Sequence, residues 1–219
     1  MRPIELVIFD CDGVLVDSEP VANRVFAAHL GREGLDWGAE ETQRRLMGRS
    51  LASCMTIVEQ ELGRRLPDDF LDRLEVATFE AFRAELEPVA GIEQAIASVA
   101  PRPTCVASSG SHRKMRFTLG LTGLLSHFEG RLFSASQVER GKPAPDLFLY
   151  VARELGFEPD RCVVIEDSLP GVEAARAAGM RVIGYAGRSD GRALADAGAR
   201  PITCMARLSE SLEAEESEE

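Results

Sequence analysis

Short apolar runs punctuate the chain, and a helix-like pattern follows most of them. Leu6-Val7-Ile8-Phe9 is the first, followed by Cys105-Val106-Ala107, Leu132-Phe133, Cys162-Val163-Val164-Ile165 and Arg181-Val182-Ile183-Gly184-Tyr185. None alternates with polar residues, which predicts strands buried on both faces, as in a parallel sheet covered by helices. Between them, Ala144, Leu147, Phe148, Val151, Ala152 and Leu155 recur with helical spacing after Pro143, and Gly156 ends the stripe. Alternating strands and helices of this kind imply right-handed crossovers and an α/β fold built on a doubly wound, Rossmann-like parallel sheet.

Residues 18–87 break the rhythm. They hold no strand-like run, but helix-length segments are predicted near 20–31, 39–47, 51–62 and 67–86, the last opened by Pro67-Asp68-Asp69. Pro88 and Gly91 mark the return to the α/β pattern. The expected organisation is a core of 1–17 and 88–219, with a small all-helical insert, 18–87, placed after the first strand. There it would sit above the carboxyl edge of the sheet, where open α/β folds bind ligands.

Composition narrows the function. Hydrophobic residues make up 45% of the 219, enough for a globular core, and no run approaches the length of a membrane span. The N-terminus runs into a strand without a cleavage pattern, so the expected location is cytoplasmic. The formal charge is −11, and six acids fall in the last ten residues. That tail, 209–219, reads as a helix end fraying into a disordered, solvated run. An acidic surface disfavours nucleic acid. Five cysteines without C-x-x-C spacing disfavour zinc and disulfides.

The chemistry concentrates just beyond the strand ends. Asp10-Cys11-Asp12-Gly13-Val14-Leu15-Val16-Asp17-Ser18 follows the first run. Two carboxylates so placed are costly unless protons or a cation neutralise them. Gly13 permits a tight turn, expected to leave amide groups facing an anion. Ser108-Ser109-Gly110-Ser111 closes the second run, Gly141-Lys142-Pro143-Ala144-Pro145 opens the 144–155 helix, and Glu166-Asp167-Ser168 ends a later run. A hydroxyl followed by helix-start amides suits an anion.

These four segments, in this order, resemble the signature motifs of haloacid dehalogenase superfamily phosphatases with a helical cap, in the β-phosphoglucomutase and sugar-phosphate phosphatase branch. The resemblance covers nearly everything but the acidic tail. It implies Asp10 as nucleophile and Asp12 as general acid and base, with its main-chain carbonyl on the metal. Ser108 and Lys142 would hold the transferring phosphoryl group, with Ser109 a further candidate. Asp10, Asp12, Glu166 and Asp167 would form an oxygen-rich Mg²⁺ site, Glu166 binding directly or through water. The expected substrate is a small phosphorylated metabolite such as a sugar phosphate or phosphogluconate-like compound, and the expected state a monomer.

Selectivity is expected from the insert. Gly48-Arg49-Ser50 matches the family's specificity loop, where Arg49 is either a ligand for a distal anion or an ordinary surface arginine, and Ser50 is its neighbour. His112, Arg113, Lys114 and Arg116 follow the phosphate turn, where they either line the crevice or, as expected for most of them, form an ordinary solvated helix face. Other chemistries of the superfamily fit less well. A dehalogenase needs neither Asp12 nor Glu166-Asp167, and a phosphonate hydrolase needs an early lysine that residues 18–62 lack. Mutases of the β-phosphoglucomutase type carry a cap histidine and two basic residues where this chain has Ala22, Met47 and Leu51. Phosphoglycolate hydrolysis stays open, and a non-catalytic binding protein would have no use for the retained acids.

Overall fold

The computed structural model describes residues 2–46 and 51–217. They divide into two compact units: residues up to Asp17 together with those from Glu87 onward, and Ser18–Leu86. Glu87 therefore belongs with the α/β unit, where its carbonyl accepts a hydrogen bond from the Asp17 amide.

The first unit opens with β1 (Leu6–Phe9). Helices α1 (Glu19–Arg32), α2 (Ala39–Leu46), α3 (Leu51–Leu62) and α4 (Phe70–Glu85) form the second unit. The chain then returns through α5 (Ile92–Ser98), β2 (Thr104–Ser108), α6 (His112–Leu121), β3 (Leu132–Ser134), α7 (Asp146–Leu155), β4 (Cys162–Glu166) and α8 (Leu169–Ala177). It ends with β5 (Arg181–Tyr185), α9 (Gly191–Asp196), β6 (Arg200–Ile202) and α10 (Leu208–Ser217). The six strands lie in the order β3-β2-β1-β4-β5-β6 and all pair in parallel. This is the doubly wound order, whose ligand crevice opens where the winding reverses, at the carboxyl ends of β1 and β4.

Strands β1, β2 and β4 are buried along their whole length, as their unbroken apolar runs require. On one face Leu6, Ile8, Cys105, Ala107 and Val164 join the Leu147–Phe148–Val151–Ala152 stripe of α7 in one core. From the other, Phe9 meets Phe128 edge to face at 5.9 Å between ring centres. The helical unit has its own core, in which Leu30, Trp37, Val58 and Phe70 pack together.

The structure adds one strand that the sequence did not announce and corrects one reading. Strand β6 has no apolar run to announce it; it is a three-residue edge strand containing Pro201, carried by its pairing with β5. The acidic tail is not a disordered run through its described part: α10 buries Leu208, Ser211 and Leu212. Two of its acids are fastened inward, Glu215 accepting from Arg200 at 2.7 Å and Glu216 from Arg102 at 3.0 Å and from the Ile4 amide at 2.9 Å.

Candidate active site

Asp10 is the first residue past β1, and its amide donates to the Ile165 carbonyl at 2.9 Å, continuing the ladder one step beyond the strand. Pairing of Phe9 with both Val106 and Ile165 therefore sets Asp10 between the ends of β2 and β4. Neither Lys142, which lies just before α7, nor Glu166, the last residue of β4, is near it in sequence. The sheet brings all three together.

Lys142 is the centre of the cluster. Its ammonium donates to Asp10 Oδ1 at 2.7 Å, to Glu166 Oε1 at 2.7 Å and to the Ala107 carbonyl at 3.2 Å, so all three of its hydrogens have acceptors. The side chain is 4% exposed. Burial works against its charge, but the two carboxylates override that and hold its pKa above the ordinary lysine value. The Phe148 ring, 5.2 Å from Nζ, closes the remaining side. One ammonium shared by two buried acids leaves the trio net negative. Asp10 responds: burial, with Glu166 and Asp12 adding repulsion, pushes its pKa up to about 7 against the pull of Lys142.

Glu166 is fully buried, and both its oxygens are engaged. Oε2 accepts from the Asp167 amide at 2.7 Å, the Ser168 amide at 3.0 Å and the Ser168 hydroxyl at 3.2 Å. Gly171, in the first turn of α8, packs so closely that a Cβ there would lie 1.7 Å from Oε1. Asp167 is set against Gly13 in the same way: a Cβ on Gly13 would fall 2.1 Å from Oδ2. Gly13 also has φ +79°, so glycine is required there twice over. The amides of Gly13, Leu15 and Val16 donate to Val16, Cys11 and Cys11 carbonyls and are consumed by the turn itself.

Asp10, Glu166 and Asp167 each offer an oxygen within 4.8 Å of the others. A buried, all-carboxylate set with a net negative charge fits a hard divalent cation such as Mg²⁺ and gives zinc none of its preferred nitrogen or sulfur. Because Glu166 already spends both oxygens, Asp10 and Asp167 are better placed to bind an ion directly.

Ser108 ends β2, is 1% exposed, and its hydroxyl accepts from the Gly110 amide at 3.0 Å. Ser109 is exposed on the same turn. One residue of this region escaped the sequence reading. Ser134, at the end of β3, donates to the Gly110 carbonyl at 2.7 Å and so pins the turn from the neighbouring strand. Lys114 is not a solvated face: its ammonium donates to Asp12 Oδ2 at 2.8 Å. Arg49 and Ser50, with Met47 and Gly48, lie outside the described residues. Among the histidines, His29 is buried in the helical unit against Phe70, with Nδ1 2.9 Å from the Val25 carbonyl, which suits packing. Cys11, Cys105 and Cys162 are buried free thiols, raised in pKa chiefly by that burial.

Residues 4–179 match the family described as haloacid dehalogenase-like hydrolase. The chain belongs to that family. It is 35% identical over 185 residues to the 6-phosphogluconate phosphatase of Escherichia coli K12, covering 83% of this chain and 82% of that one. It is 32% identical over 201 residues to a phosphorylated carbohydrates phosphatase of Thermotoga maritima, covering 90% and 92%. A haloacid dehalogenase-like protein of Agrobacterium tumefaciens C58 superposes with a TM-score of 0.87 at 36% identity, over 98% of this chain and all of the other. The chain is thus a haloacid dehalogenase-like hydrolase whose relatives are named phosphatases. Among the described residues no helix is long and apolar enough to cross a membrane.

Proposed function

We propose that this hydrolase removes the phosphoryl group from a small sugar- or polyol-type phosphate by way of an aspartyl phosphate on Asp10, with Mg²⁺ as cofactor. The observation that carries the reading is the Lys142 ammonium, buried between Asp10 and Glu166 at 2.7 Å from each. Such a group cancels charge where a phosphate dianion and a carboxylate nucleophile must meet.

In the first half-reaction an Asp10 oxygen bonds to phosphorus as the ester oxygen–phosphorus bond breaks. Asp12 gives its proton to that oxygen, which leaves as an alcohol. In the second, a water oxygen bonds to phosphorus, Asp12 takes the water's proton, and the Asp10–phosphorus link breaks to release phosphate. Lys142 and the Ser108 hydroxyl hold the phosphoryl oxygens, Ser108 on a turn fixed by Ser134. Asp10, Asp167 and the Asp12 carbonyl would hold Mg²⁺, with Glu166 positioning Lys142 and reaching the ion through water. When bound, the ion supplies positive charge to the phosphoryl oxygens. The names of the two curated relatives favour phosphorylated carbohydrates, 6-phosphogluconate first.

The test is phosphate release from a panel of sugar and polyol phosphates with Mg²⁺, and again with chelator. Hydrolysis should vanish with chelator, and Asp10→Asn should be inactive and carry no acid-stable phosphoryl mass after mixing with substrate. Full turnover in chelator, or a phosphorylated Asp10→Asn protein, would overturn the assignment.

A further inference from the structure

Lys114 occupies a place that helix electrostatics disfavours. Helix α6 is capped by Ser111, whose hydroxyl accepts from the Lys114 amide at 3.2 Å, so Lys114 is the third residue of the first turn. That turn also holds His112 and Arg113 and has no acid. The positive end of a helix favours anions there, and a cation runs against it. A local rule broken in this way calls for a compensating contact. The compensating contact is Asp12, whose Oδ2 lies 2.8 Å from Lys114 Nζ.

Three further features fix that contact. One turn on, Thr118 lies 3.9 Å from the Cys11 thiol in a buried contact, so the Lys114 face of α6 is set against the loop carrying Asp10 and Asp12. The half-buried Lys114 stem runs past Gly110: a Cβ there would lie 3.5 Å from Lys114 Cδ, 3.3 Å from Ser108 Oγ and 3.8 Å from Asp12 Oδ2. The phosphate-turn serine, the lysine and the general acid therefore converge on one glycine. Finally, Lys142 is committed to Asp10, Glu166 and Ala107, while Lys114 donates to Asp12.

We propose that Lys114 is a positioning residue that holds the Asp12 carboxylate by Oδ2 and presents its other oxygen to the ester oxygen of the substrate. The proposal rests on the phosphatase reading above and adds to it a second lysine acting through Asp12 and not on the phosphoryl group. Its requirement is greatest when the departing alkoxide must receive a proton, and smallest when the leaving group departs without one. A sugar phosphate is the first kind; 4-nitrophenyl phosphate is the second.

The test compares kcat/KM for the best sugar or polyol phosphate of the panel with that for 4-nitrophenyl phosphate, in wild type, Lys114→Met and Lys114→Arg. Lys114→Met should lower the sugar-to-aryl ratio about tenfold, a modest share of the 10²–10⁴ that general acid–base catalysis supplies. Its kcat on the aryl ester should fall more than its kcat/KM, because Asp12 is still needed to activate water in breakdown of the phosphoenzyme. Lys114→Arg, which keeps the charge and reach, should recover most of the ratio. Equal losses of kcat/KM on both substrates would overturn the proposal, since that is the signature of a phosphate-binding or purely structural lysine. So would an unchanged ratio. Wild-type protein that hydrolyses neither substrate would remove the phosphatase reading and this proposal with it; active wild type with a flat ratio would remove this proposal alone.

Discussion

Replacing Gly171 by alanine sets two physical effects against each other at one buried position. In a helix interior the change ordinarily stabilises, because glycine gives up more backbone freedom; the gain is about 0.5–1 kcal/mol. Here the new methyl carbon would start 1.7 Å from Glu166 Oε1, 2.0 Å from Cδ and 2.5 Å from Cγ. Glu166 has no room to retreat, being fully buried with Lys142 on one oxygen and two amides and a hydroxyl on the other. Overpacking of this kind costs about 1–3 kcal/mol. Breaking even one hydrogen bond to the buried charge adds about 1.5–3 kcal/mol. The clash wins, and Gly171→Ala should destabilise by about 1.5–5.5 kcal/mol in urea unfolding followed by circular dichroism. Because the displaced group is the one that holds Lys142, kcat/KM should fall at least about tenfold as well, about 1.4 kcal/mol of transition-state stabilisation. A Gly171→Ala protein that is as stable as wild type and fully active would refute the reasoning.

Other outcomes follow from the same geometry. Magnesium at about 100 times its dissociation constant should raise the folded state's stability by about 2.7 kcal/mol, seen as a thermal midpoint several degrees higher than in chelator. No shift at millimolar magnesium would remove that ion from the Asp10–Glu166–Asp167 cluster. Leu212→Ala should cost about 2–5 kcal/mol, because the side chain is 1% exposed on α10. A change within 0.5 kcal/mol in the same unfolding assay would mean that the tail does not pack as described.

The central fold and the first of the candidate acids were legible because each obeys a strong local rule. An apolar run without alternation has few homes except a strand covered on both sides, and β1, β2 and β4 are buried throughout. Paired acids at the end of such a run demand neutralisation, which singled out Asp10 and Asp12, while Glu166 and Asp167 were picked out by their place in the family's ordered motifs. What stayed hidden depends on pairs distant in sequence. Strand β6 is defined by its neighbour β5 and not by its own composition. The tail looked soluble because its acids were counted without Arg102 and Arg200, which meet Glu216 and Glu215 only after folding. Lys114 looked like one basic residue among several, and its partner lies 102 positions away. One clue was available: a lysine in the first turn of a helix that follows a serine cap is electrostatically misplaced. Ser134 left no comparable signal, since its role comes from the turn on the next strand.

The strand order has a consequence for synthesis. Strand β1, which leads into Asp10, is made first, yet it is flanked in the finished sheet by β2 and β4, whose residues begin at Thr104 and Cys162. A nascent chain that has reached residue 161 already contains Asp10, Asp12, Ser108, Lys114 and Lys142. It lacks the strand that closes the other side of β1 and the two acids, Glu166 and Asp167, that follow. The helical unit, whose core is drawn entirely from Ser18–Leu86, has all its residues in hand long before. Emergence of β4 from the ribosome is therefore the event that both pairs the second edge of β1 and delivers the last two acids of the cluster. Until then β1 offers an unpaired apolar edge, the kind of surface that chaperones cover.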